Sequence, residues 1–310
     1  MKITVFGGGG FIGSTIVDRL LRDGYAVRVF ERPRVAPYRN FSEHEQVEWI
    51  TGDLLSRHDV GCALEGTDAV FHLVSTTLPK SSNEDPVYDV QSNLVASLQM
   101  LDAMIEHKVP RIVFISSGGT VYGRPRYTPI DELHPTEPEV SYGITKLAIE
   151  KYLQMYGRLH GIKPIILRVT NPYGERQRIE TAQGAVGVFL HRALSGQPIE
   201  IWGDGTVQRD FLHVNDVADA FAHALTYTGG ETVFNISSGR GFSLNELIDM
   251  IEKIQNATVK RIYKPARPFD VPINVLSNEL ARQELGWIPM IDIEEGLART
   301  SAWMKTELGL

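Results

Sequence analysis

Residues 3–13 read Ile3-Thr4-Val5-Phe6-Gly7-Gly8-Gly9-Gly10-Phe11-Ile12-Gly13, and helical periodicity follows as far as Leu21. Ile3 to Phe6 is a short apolar run suited to a buried strand, and Ile12 to Leu21 to a helix. Between them Gly7, Gly10 and Gly13 stand at a GxxGxxG spacing. The early glycines let the backbone turn tightly and approach a pyrophosphate, and the last lets the helix pack close to the strand. The helix start then offers unpaired N–H groups to negative charge. Glu31 directly follows the next strand, Ala26 to Phe30, where a carboxylate accepts hydrogen bonds from an adenosine ribose and repels a 2′-phosphate. That predicts NAD over NADP, with Arg32 and Arg34 pulling the other way. Gly52-Asp53-Leu54, after the strand Val47 to Ile50, is placed either to meet the adenine edge or to serve as a plain turn and helix cap.

The alternation continues through Ala69 to Leu73 (strand), Asp89 to His107 (helix), Arg111 to Ile115 (strand), Tyr142 to Leu159 (helix) and Pro164 to Arg168 (strand). Strands alternating with helices predict a doubly wound parallel α/β sheet of the Rossmann type, with ligands beyond the C-terminal strand ends. After Arg168 the rhythm loosens. Helices are expected at Val186 to Ser195, Asn215 to Thr226, Leu244 to Ile254 and Ile293 to Lys305, and Thr232 to Ile236 reads as one more buried strand. The expected division is a dinucleotide domain over 1–171, with 211–236 returning to it, and a smaller α/β substrate domain over 172–310.

With 43% hydrophobic and 22% charged residues in 310, disordered and fibrous classes drop out. The net charge of −7 argues against general binding to nucleic acid or an anionic membrane, so an anionic ligand needs a few placed cations and helix N-termini. Cys62 is the single cysteine, which excludes an intramolecular disulfide and a cysteine-based zinc site and points to a reducing, cytoplasmic setting. Neither a signal-peptide layout nor a run of about 18 apolar residues is present. His72 and His213 read as structural, and no metal site is expected.

Tyr142 and Lys146 lie one helical turn apart on one face. The pair gains specificity from the preceding strand, which ends Phe114-Ile115-Ser116-Ser117-Gly118-Gly119-Thr120. A tyrosine base working near pH 7 needs its pKa lowered by roughly 3 units, or about 4 kcal/mol. A lysine ammonium and the positive nicotinamide of an oxidised cofactor are suited to supply it.

These motifs occur in order with Phe71-His72-Leu73, Val121-Tyr122-Gly123, Arg168, Asn171-Pro172-Tyr173-Gly174, Gly203-Asp204-Gly205, Arg209-Asp210-Phe211, His213-Val214, Asp216 and Leu285-Gly286-Trp287. Over essentially its whole length the chain resembles the extended short-chain dehydrogenase/reductases of the nucleotide-sugar epimerase/dehydratase family. The resemblance implies a tightly held NAD against Gly7, Gly10, Phe11, Ile12, Gly13, Glu31 and Arg32. Asp53, Leu54, Leu73, Val74, Ser75, Ser92 and Asn93 would follow, with Ser116, Tyr142, Lys146 and Thr170 nearest the reacting end. It implies a nucleotide sugar, UDP-linked, against Thr77, Thr120, Asn171, Gly184, Ala185 and Ile201. Arg209 and Arg267 would grip the diphosphate, with Asp270 completing an R-x-x-D pattern and Asn274 bounding the sugar.

Within the family, an acidic residue just before the Val121-Tyr122-Gly123 position accompanies dehydration and decarboxylation. Here Gly118, Gly119 and Thr120 stand there, which favours 4-epimerisation through a transient 4-keto sugar. The usual Ser or Thr position falls on Gly118, so the assisting hydroxyl must come from Thr120, Ser117 or Ser116, in that order. Other departures are Phe6 for threonine, Ser75 for alanine and Val140 for proline. Asn274 replaces the bulky tyrosine of restrictive members, which predicts room for N-acetylated hexoses. The competing readings are a 4,6-dehydratase or decarboxylase, an NAD(P)H-dependent keto-sugar reductase and a non-catalytic NAD sensor. A homodimer is expected, built on the stripes Leu94, Leu98, Leu101, Ile105 and Leu147, Leu153, whose competing role is packing on the sheet.

Overall fold

In the computed structural model, which describes residues 1–177, 184–266 and 271–309, alternate residues of each central strand face opposite helical layers. The strands are β1 (Lys2–Phe6), β2 (Ala26–Glu31), β3 (Val47–Thr51), β4 (Ala69–His72), β5 (Arg111–Ser117) and β6 (Lys163–Val169), followed by β7 (Asn171–Tyr173), β8 (Ile199–Trp202), β9 (Gln208–His213) and β10 (Val233–Ile236). Seven of them form one parallel sheet in the order β10-β6-β5-β4-β1-β2-β3. The order reverses between β1 and β4, so the glycine loop opens onto the crevice where such sheets bind ligands.

The helices are α1 (Phe11–Arg22), α2 (Arg57–Leu64), α3 (Pro79–Glu84), α4 (Pro86–Asp89), α5 (Ala96–Glu106), α6 (Ser141–His160), α7 (Ala185–Leu194), α8 (Val214–Thr226), α9 (Leu244–Gln255) and α10 (Ile293–Leu308). On one face Ile3, Val5 and Phe71 pack on Ile16 and Leu20 of α1 and on Val217 and Phe221 of α8. On the other, Phe6, Phe114 and Ile166 pack on α2, α5 and α6 through Leu64, Leu101 and Leu153.

The helix expected over Asp89 to His107 is present, continuous with α4 and wound as a π-turn over Val90–Val95 before α5. Side chains there bond back to carbonyls four residues earlier, Ser92 Oγ to Tyr88 O at 2.6 Å and Asn93 Nδ2 to Asp89 O at 3.1 Å, which loosens the regular ladder. In the apolar stripes, Leu101 and Leu153 are buried beneath the helices, and Leu94, Leu98 and Leu147 pack partly against the core, so sheet packing claims most of the stripe. The outward apolar residues on these helices are Val95, Ile105, Ile144, Tyr152 and Leu159.

The remaining residues build a second core of Phe189, Leu190, Ile199, Ile201, Leu247, Ile251 and Leu297 between α7, α9 and α10. There β9 pairs with β7, with β11 (Gly241–Ser243) and, after β12 (Arg261–Lys264), with β13 (Ile273–Asn274). Trp287 is buried and donates Nε1–H to Asp216 O at 3.0 Å, tying the C-terminal part to α8. Among the described residues no helix is long and apolar enough to cross a membrane, and no metal-binding group of His, Cys, Asp or Glu occurs.

Candidate active site

The glycine loop has the geometry a pyrophosphate cradle requires. Gly7 has φ +86° and donates its N–H to Phe30 O at 3.0 Å. A Cβ at Gly13 would fall 2.1 Å from Gly7 O, so only glycine lets α1 start this close to the turn. Glu31 accepts Gly9 N–H at 3.0 Å, and burial pushes its pKa up against that bond and the bond from Arg32 N–H. Phe11 and Ile12 line the cleft, whereas Arg32 and Arg34 are exposed. Asp53 is exposed and accepts Leu55 N–H at 2.9 Å in the turn before α2, and Leu54 is buried in the core.

Beyond β4, Leu73 donates its N–H to Phe6 O at 3.0 Å, Val74 packs over Gly7, and Leu73, Ser75 and Thr77 line the cleft. Ser92 and Asn93, expected against the cofactor, brace this loop through Thr76. Ser92 Oγ meets Thr76 Oγ1 at 2.5 Å, and Asn93 Oδ1 accepts Thr76 N–H at 2.9 Å. The Thr77 hydroxyl, expected to meet substrate, donates to Asp89 and accepts from Asn93 Nδ2 at 3.1 Å.

Asp89, unmarked in the sequence because an acid at a helix start is unremarked, is the buried centre of this wall. Besides Thr77 it accepts Ser141 Oγ at 2.7 Å, Thr145 Oγ1 at 2.8 Å and Asn93 Nδ2 at 3.0 Å. The N-terminus of α6 lacks a side-chain cap of its own. Asn83 Oδ1 and Ser82 Oγ supply one from α3, accepting Ser141 N–H at 2.9 Å and Tyr142 N–H at 3.0 Å.

Tyr142 and Lys146 thereby face a cleft of about 410 Å³, together with Ser117, Thr120, Thr170, Asn171, Gln177 and Gly184. Burial pushes the Tyr142 phenol up to about 12, opposed by a hydrogen bond from Ser75 and reinforced by the Asp89 charge. Lys146 is buried, donates Nζ–H to Ile115 O at 3.1 Å and lies 5.7 Å from the Tyr142 ring centroid. Burial lowers it to about 8, against the raising effect of Asp89 and Glu150, so it stays mostly protonated at neutral pH.

The three candidate hydroxyls differ sharply. Ser116 lines the cleft, and its Oγ donates to the buried Glu150, which also holds Arg168 through Nη2 at 2.6 Å. Ser117 lines the cleft. Thr120 lines it too, and its Oγ1 is buried without a hydrogen-bond partner.

Asn171 borders both this cleft and a neighbouring cavity of about 280 Å³ lined by Gly184, Ala185, Trp202, Arg209, Phe211 and Leu244. Asn171 Nδ2 donates to Asp210 O at 2.9 Å, and Arg209 Nη1 donates to Val271 O at 2.6 Å. Thr170 Oγ1 donates to Ile236 O at 3.4 Å. Ile201, expected at the substrate, is fully buried in the second core; strand alternation turns Trp202 outward in its place. Asn274 sits beside Arg209 in register, its Oδ1 buried without a partner. Arg267 and Asp270 lie outside the described residues. Gln177, which no motif in the sequence marks, lines the cleft with its Oε1 buried and unpaired.

The model of the NAD dependent epimerase/dehydratase family matches residues 3–237. The chain belongs to this family. It is 33% identical to a UDP-glucose 4-epimerase of Mycolicibacterium smegmatis over 311 residues, 99% of each chain. Its structure is similar to that of the Thermotoga maritima UDP-glucose 4-epimerase with UDP-glucose, with a TM-score of 0.94, 33% identity and coverage of 99% of this chain and 100% of the other. It is also similar to the UDP-N-acetylglucosamine 4-epimerase of Methanobrevibacter ruminantium in complex with UDP-N-acetylmuramic acid, with a TM-score of 0.93, 28% identity and 99% and 98% coverage.

Proposed function

We propose that the chain is an NAD-dependent 4-epimerase of a UDP-hexose, acting on UDP-glucose and UDP-galactose and accepting their N-acetylated counterparts. The observation that carries the reading is the meeting of Tyr142, Lys146 and the unpaired Thr120 hydroxyl in one cleft that runs past Asn171 into the Arg209 cavity. The residues fit the dinucleotide: Gly13 closes the turn, Glu31 stands at the second strand end, and Lys146 is buried at the far end. NAD, when bound, supplies reversible hydride acceptance.

Tyr142 takes the proton of the sugar 4-hydroxyl and later returns it, while Thr120 donates a hydrogen bond to the same oxygen. The Lys146 charge favours the phenolate. Arg209 and the Asn171 amide anchor the diphosphate end, which leaves the hexose, once it is a 4-keto sugar, able to turn over and present its other face. None of the described residues lining the cleft is a carboxylate, which supports epimerisation over dehydration. The N-acetyl part rests on Asn274 standing where restrictive members carry a bulky tyrosine; here it is buried beside Arg209. A cytoplasmic setting accords with the single cysteine. Homodimerisation through the outer faces of α5, the π-turn before it and α6 accords with the exposed Val95, Ile105, Ile144 and Tyr152.

The test is incubation of the purified protein with UDP-glucose and UDP-GlcNAc, with the 4-epimers followed by NMR. Epimers formed without added reduced cofactor are the expected result. Stoichiometric consumption of NADH would mark a reductase instead. Turnover of UDP-glucose but never of UDP-GlcNAc would remove the N-acetyl part.

A further inference from the structure

Arg176 has φ +68°, in the left-handed region that residues with a Cβ enter at a cost. Such residues persist where their surroundings hold them, and they gather at functional sites. The holding groups here lie on α1, the helix that starts at the glycine loop. Arg176 Nη1 is 2.7 Å from Asp18 Oδ2 and donates to Ser14 Oγ at 3.3 Å. The other Asp18 oxygen accepts Arg39 Nε–H at 2.6 Å, and Arg39 Nη1 reaches Glu45 at 3.0 Å, so the acceptor is itself fixed. The next residue, Gln177, is the one whose unpaired, buried Oε1 lies in the cleft wall. Its amide occupies space that a Cβ at Gly184 would invade, at 2.5 Å from Nε2.

We infer that Arg176 and Asp18 are positioning residues for Gln177. The ion pair pins the strained residue to the helix that bears the cofactor loop, and the strained residue sets the Gln177 amide in the substrate cleft. The substrate wall is thereby tied to the cofactor helix as well as to α7, against which the Gln177 amide packs. The inference rests on the epimerase reading only for the identity of the cleft's occupant.

The holoprotein is titrated with UDP-glucose by calorimetry, and KM, kcat, bound NAD and Tm are measured for wild type, Arg176→Ala, Arg176→Gly, Gln177→Ala and the double variant Arg176→Ala/Gln177→Ala. Arg176→Ala should weaken binding and raise KM about 10-fold with kcat changed less than about 3-fold, a loss of ground-state anchoring. Arg176→Gly enters the left-handed region freely and should retain more affinity than Arg176→Ala. The double variant should bind no more weakly than Gln177→Ala alone, because both changes act through one amide. Additive losses, an alanine variant as good as the glycine variant, or a fall in Tm with unchanged KM would each overturn the inference. If wild type neither binds nor converts UDP-glucose, the epimerase reading falls. Crystal structures of the two Arg176 variants then decide alone: a Gln177 amide displaced in alanine and kept in glycine supports the inference, and one kept in both overturns it.

Discussion

At position 118 a Cβ would fall 2.3 Å from Leu276 Cδ1 and 3.1 Å from Arg168 O, so a hydroxyl-bearing side chain there would require Leu276 to move. In the proposed mechanism the duty passes to Thr120, whose Oγ1 is buried without a hydrogen-bond partner. Thr120→Val should lower kcat about 10–100-fold with KM little changed, and Ser117→Ala should do far less, both read by steady-state kinetics. Tyr142→Phe removes the proton carrier and should cost at least about 100-fold in kcat, with the 4-epimer assay as the check. The Lys146 charge is lost as pH rises through about 8. Activity should therefore fall on that alkaline side, and residual activity in Lys146→Arg should show the fall only at higher pH, in a kcat profile. Tyr142, Lys146 and Thr120 were legible because strand, loop and helix follow one another closely in sequence. Asp89 and Gln177 were not, because their importance comes from burial and from partners distant in the chain.

Among the elements, α6 depends on α3 for its N-terminal cap, which joins the catalytic helix to the loop that walls the cleft. Ser82→Ala should cost about 1 kcal/mol, measured by urea unfolding, and should also lower kcat because Tyr142 N–H loses its acceptor. Long elements with steady periodicity were readable: α1, α6, α8, α9 and α10 lie within a few residues of expectation. The π-turn was hidden because periodicity does not register side chains bonding to carbonyls. Strands such as β11 and β13 were hidden because two or three residues carry no pattern, and pairing with β9 creates them.

For the whole molecule, the same helices α5 and α6 serve two surfaces. Leu101 and Leu153 belong to the core, and Leu101→Ala should cost roughly 2–5 kcal/mol in denaturant unfolding. Val95, just before α5, and Tyr152 on α6 face outward, so in the proposed homodimer Val95→Glu with Tyr152→Glu should leave the fold intact and shift the sedimentation coefficient from dimer to monomer. The seventh strand of the large sheet, β10, is contributed by residues that follow the start of the second core. During synthesis the N-terminal unit therefore emerges from the ribosome with β6 as a raw edge, and it stays so until residue 236 is exposed. A nascent chain halted near residue 171 presents that edge to any passing strand, so chaperone cover during translation matters most over this interval.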